Sequence, residues 1–179
     1  MSFKSLLKQV ETSSKFREFK KRNPRAKLYS AFFTLRTAFG NLLEDSQQLD
    51  YLIGKERIVT FSLQDDQIIM KEDKLEKLVE KFTALKKDIT TDIEDIKEIV
   101  QKEMKKQKIS SEIQEIVAIL QRQKENQIWN IIVVLSSLDM LRLHIDIQGK
   151  ILVNKKESFA DIIKFKKGNK EKESSPKYV

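Results

Sequence analysis

The stretch from Ile128 to Val153 constrains this chain more than any other. It reads as a strand, a tight turn at Ser136-Ser137, a second long strand, and a hairpin at Gln148-Gly149 into a closing strand. Leu141, Leu143, Ile145 and Ile147 alternate with Arg142, His144 and Asp146. That period of two is what a strand with one buried face requires. An antiparallel meander behind a charged helix sets the fold class and leaves the chemistry open.

The same order occurs upstream. Phe3, Leu6, Leu7 and Val10 are spaced for one buried helix face, and Phe16 and Phe19 extend the stripe beyond a break at Thr12-Ser13-Ser14. Asn23-Pro24 ends that helix, because the residue before proline avoids helical dihedrals. Four strand segments follow, at 28–35, 48–53, 57–63 and 67–70. Gly40-Asn41 with Glu44-Asp45-Ser46 reads as a loop, and Gly54-Lys55 and Asp65-Asp66 as turns. Residues 73–89 read as a charged connector with a short helix near Leu75–Val79. Thr91 and Glu94 fit a capping box for a helix carrying Ile93, Ile96, Val100 and Met104 on one face. Strands follow at about 115–122, 128–135, 138–147 and 151–153. The expected division is 1–72, helix plus meander; 73–89, connector; 90–163, helix plus meander; and 164–179, a basic tail too poor in apolar groups to pack. The fold class is α+β in two helix-plus-antiparallel-meander halves, an order that suggests structural duplication.

Composition excludes several activities. The chain has no Cys and one His, so a disulfide framework, a thiolate metal site and a His pair are all ruled out. Four Gly and two Pro leave no glycine-rich phosphate loop. No apolar run reaches the ~18 residues of a membrane span, and the charged start does not read as a signal peptide. The chain is therefore read as cytoplasmic, with no membrane contact and no cofactor. The net charge of +8 is uneven: residues 1–27 hold nine Lys or Arg against two Glu, and residues 164–179 hold six Lys against two Glu. The stretch between them carries −3.

Three segments, KFREFKKRNPRAKLYSAFFTL (15–35), QLDYLIGKERIVTFSL (48–63) and IWNIIVVLSSLDMLRLHIDIQGKIL (128–152), resemble a family of uncharacterised archaeal proteins with a PepSY-like C-terminal block. Its most specific parts here are Trp129-Asn130 and Ile145, Asp146, Gly149 and Lys150. The usual Asp-x-x-Thr-Gly hairpin is replaced by Asp146-Ile147-Gln148-Gly149. The resemblance implies a cystatin-like helix-on-sheet fold and a non-catalytic module, and it supplies no activity.

Candidate functional residues fall into two groups. Lys15, Arg17, Lys20, Lys21, Arg22, Arg25 and Lys27 surround Phe16 and Phe19 and form a basic rim for phosphates or an acidic partner. Trp129, Arg142 and His144 are the candidate sheet-face contacts. Asp146 beside His144 is the one pairing with acid–base potential, and no nucleophile accompanies it. Asp45, Asp50, Asp65, Asp66 and Asp73 lie near turns without metal-loop spacing and read as turn formers. The leading expectation is a non-enzymatic module that binds a protein partner, of identity and stoichiometry the sequence does not fix, through an open sheet face or an edge strand. The alternative is a weak, non-specific nucleic-acid binder using the basic rim and the tail.

Overall fold

The computed structural model describes residues 2–76, 83–123 and 126–158. In chain order these residues form α1 (Phe3–Thr12), α2 (Ser14–Arg22), β1 (Lys27–Ala38), β2 (Asn41–Ile53), β3 (Arg57–Gln64) and β4 (Gln67–Lys74). Then follow α3 (Ile93–Lys106), β5 (Ile113–Gln123), β6 (Asn126–Leu135), β7 (Met140–Asp146) and β8 (Ile151–Glu157). The expected tail and part of the expected helix near Leu75–Val79 lie outside the described residues.

All eight strands belong to one antiparallel sheet in the order β4-β3-β2-β1-β5-β6-β7-β8. The two meanders meet where β1 pairs with β5, from Ala31 opposite Leu120 to Arg36 opposite Glu115. The helices cover one face. Phe3, Leu6, Leu7 and Val10 of α1, Phe16 and Phe19 of α2, and Ile93, Ile96, Val100 and Met104 of α3 share one core cluster with Phe33, Leu49, Phe61, Ile116, Trp129 and Leu143 of the sheet. Phe16, Phe19, Tyr51 and Phe61 pack at ring separations of 5.0–6.0 Å, in the tilted and edge-on geometries aromatic quadrupoles favour.

Hydroxyls set the helix limits. Ser2 accepts from the Ser5 amide, and Ser13 both ends α1 and caps α2 by accepting from the Phe16 amide at 3.1 Å. The third cap is one residue later than the sequence implied. Asp92 replaces Thr91, and Asp95 replaces Glu94 as its reciprocal partner. Thr91 is occupied elsewhere: its amide donates to the Ile147 carbonyl and its own carbonyl accepts from Trp129.

Two further expectations are corrected, and the connector gains an anchor. Glu44-Asp45-Ser46 lies inside β2, at a register shift opposite Thr34 and Leu35. There the polar groups bond across strands, Thr34 Oγ1 to Ser46 Oγ at 2.9 Å and Arg36 to Asp45 at 3.4 Å, instead of closing a turn. The closing strand extends past its apolar part to Glu157, supported by ion pairs of Glu157 with Arg142 and Lys155. The charged connector is anchored in the core by Leu85 and Ile89, and the Leu85 amide donates to the Leu28 carbonyl.

Candidate functional site

Strand register assigns every side chain to a face. Opposite the helices, cross-strand neighbours line up in rows. One row runs Ser62, Gln48, Phe32, Ile119, Asn130, His144, Val153. The next runs Ser46, Thr34, Val117, Ile132, Arg142, Lys155. A third includes Arg36, Glu115, Val134, Met140 and Glu157. Phe32, Val117, Ile119, Ile132 and Val134 thus form a continuous apolar patch, each half-buried and none part of the core cluster. Hydroxyls, amides and paired charges frame it. An uncharged apolar centre with a polar rim is the anatomy of a protein-binding surface.

The candidate sheet-face residues divide between the two sides. Arg142 and His144 stand on the uncovered face. Trp129 is on the other, fully buried, with its ring 5.9 Å from Phe33 and its indole N–H donating to the Thr91 carbonyl at 3.0 Å. It anchors the core and is no face contact. Asp146 is not turned to His144: its Oδ1 accepts the amides of Gln148 and Lys150 at 2.9 Å and shapes the β7–β8 turn.

The basic rim lies on α2 and the turn after it, on the helix side of the sheet, except Lys27, which opens β1 opposite Leu52 on the other face, and part of the rim is engaged in the fold. Lys15 donates to the Ile68 carbonyl at 2.7 Å, which also caps a group of the edge strand β4. Lys20 donates to the carbonyls of Pro24 and Ala26, and Arg22 pairs with Glu18 at 2.9 Å. Arg17, Lys21, Arg25 and Lys27 are exposed. The other edge strand, β8, exposes Leu152 and Val153. Phe39, 99% exposed, sits at φ +51° beside Gly40 in the β1–β2 turn.

Of the five aspartates read as turn formers, only Asp65 and Asp66 occupy a turn, both at positive φ. Asp73 lies in β4, paired with Lys71. Asp50 is buried in mid-strand on the uncovered face. Its carboxylate accepts from Ser30 Oγ and Thr60 Oγ1, each at 2.7 Å. Burial pushes its pKa above the ordinary aspartate range, opposed by the hydrogen bonds from Ser30, Thr60 and Gln48. An acid whose folded pKa is raised favours the fold below its unfolded pKa and loses that contribution as pH rises through the folded pKa. Asp50→Asn is therefore expected to stabilise the protein at neutral pH, with the advantage shrinking as pH falls toward ~4, the unfolded aspartate value. Urea titrations of both proteins at several pH values check this. An advantage that grows on acidification would contradict it.

Among the described residues no three His, Asp or Glu side chains gather to hold a metal ion, and no helix is long and apolar enough to cross a membrane. A groove of about 610 Å³ lies between α3 and the β1–β2 hairpin, lined by Leu42, Met104, Ile109 and Ile113 with Lys97 and Lys105. The five patch residues had a sequence signal that residue-by-residue reading passes over. Ile116–Leu120 and Ile131–Leu135 are apolar at every position, so if one side faces a core the other side is apolar too. Comparison of the chain with protein-family models, curated proteins and solved structures found no match in any of the three.

Proposed function

We propose that this protein is a non-enzymatic interaction module of the cytoplasm that binds a protein through the uncovered face of its sheet. The observation that carries this reading is the patch of Phe32, Val117, Ile119, Ile132 and Val134, kept out of the core and bordered by paired charges. Because each is already half-buried, covering what remains exposed is worth only part of the about 1.5–3 kcal/mol of full burial, before the costs of association. In this reading the two meanders are duplicated halves of a PepSY-like, helix-on-sheet design, with the helices as support and the free face as the working surface.

The second reading, weak nucleic-acid binding, has its support in the exposed Arg17, Lys21, Arg25 and Lys27. Arg17, Lys21 and Arg25 belong to α2 and the turn after it, away from the uncovered face, whereas Lys27 pairs with Leu52 in β1, so the two readings separate by mutation of the first three. Isolation of bound material from native cells at low salt, with wild type, Ile119→Glu and Arg17→Glu/Lys21→Glu/Arg25→Glu side by side, tests them. The proposal expects specific protein binding to be lost in Ile119→Glu and kept in the triple variant, with both variants folded by circular dichroism. Nucleic acid recovered with wild type and Ile119→Glu, but absent with the triple variant, would replace it with the second reading. Lys15, Lys20 and Arg22 are left unchanged because each makes a contact within the fold.

A further inference from the structure

We infer that the occupant of the uncovered face is a second copy of this chain. Two sheets would pack face to face about a two-fold axis that runs along the strands between β1 and β5. The inference rests on the reading that this face binds protein, and it names the partner.

Such an axis is isologous: it sets β1 of one copy over β5 of the other, and β2 over β6. The rows stay level, since rotation about the strand direction preserves height along the strands. Phe32, cross-strand neighbour of Ile119, then lies over Ile119 of the second copy. Thr34 lies over Val117, and Gln48 over Asn130. Apolar groups meet in the middle, and amides meet beside them.

Charge selects this axis over its neighbours. Arg36 stands 3.6 Å from Glu115 within one chain, on β1 and β5 respectively. With the axis between those strands, Arg36 of each copy faces Glu115 of the other, and each guanidinium also keeps Asp45 of its own chain at 3.4 Å. An axis along β5 would stack Glu115 on Glu115, and one along β1 would stack Arg36 on Arg36. Like charges brought together in an interface are strongly unfavourable.

Area bears on whether two copies can hold together. Six central strands at ~4.8 Å spacing and about six residues at ~3.3 Å rise give a contact face of roughly 600 Å² in projection, about half of it the strands β1, β5 and β6 that carry the apolar patch. This approaches the ~800 Å² per partner of a standard interface, before sheet twist lifts the outer strands away. A face smaller than the standard interface fits a dimer that forms only on concentration.

Sedimentation equilibrium of the full chain, from low micromolar to several hundred micromolar, tests the inference. Wild type is expected to move from monomer to dimer. Arg36→Glu places Glu against Glu and should weaken the dimer at least tenfold. In an Asp45→Asn background, Arg36→Glu/Glu115→Arg restores alternation of charge and should return to within a few-fold of Asp45→Asn alone. Ile119→Glu should abolish dimerisation. A wild-type chain that stays monomeric throughout, while Ile119→Glu still loses a different protein from native cells, would overturn the second copy and leave the binding face standing. A dimer unaffected by Arg36→Glu and Ile119→Glu would overturn the proposed interface. A chain ending at Ser158 that dimerises where the full chain does not would make residues 159–179 the occupant and overturn it as well.

Discussion

Trp129→Ala is expected to cost about 3–5 kcal/mol, as truncation of a fully buried large aromatic does. That is a large share of the 5–15 kcal/mol by which a domain is held folded. Two losses combine. The ring packs beside Phe33 where β6 meets the core, so its removal leaves a cavity between sheet and helices. The indole N–H also holds the Thr91 carbonyl, one residue before the cap of α3. Trp129→Phe separates the two, since it keeps most of the packing and leaves the buried carbonyl unpaired at about 1–3 kcal/mol. Urea midpoints at unchanged slope provide the measurement. A stable Trp129→Ala protein would contradict the core assignment.

Asp92→Ala is expected to cost about 2 kcal/mol, at the upper end for a helix cap. One carboxylate serves two helices there. Its Oδ1 accepts the Ile93 amide at the start of α3 and the Phe3 amide at the start of α1, each at 2.7 Å. Both helix N-termini direct partial positive charge at it. Asp92→Asn should recover much of the loss, because the amide oxygen still accepts and only the charge is gone. A loss under about 0.5 kcal/mol for Asp92→Ala would show that water replaces the cap and that the α1–α3 link carries little.

What the sequence discloses follows the strength of its periodic signals. The α1 face, the Ser13 break and the alternation of β7 are written in spacing, and the structure has each of them. The ends of β2 and β8 are not. There the strand is built from Glu44, Asp45, Lys155 and Lys156, whose preferences favour loops and whose cross-strand pairing supplies what propensity lacks. The joining of both meanders in one sheet depends on the β1–β5 pairing, a long-range contact that local pattern cannot encode. Trp129 shows the limit for sites: alternation places it on a face, and only the helices decide which face is the core. The apolar patch was legible in the two-sided runs of β5 and β6, whereas the Asp50 cage needed three strands brought together.

Radical footprinting of side chains tests the central claim most directly. The protein is labelled dilute and purified, and again in native extract, and oxidation is read residue by residue. Binding through the uncovered face predicts that Phe32, Ile119 and Met140 lose reactivity in the extract while exposed residues of α2 keep theirs. Unchanged reactivity at Phe32, Ile119 and Met140 together with protection along α2 would contradict it.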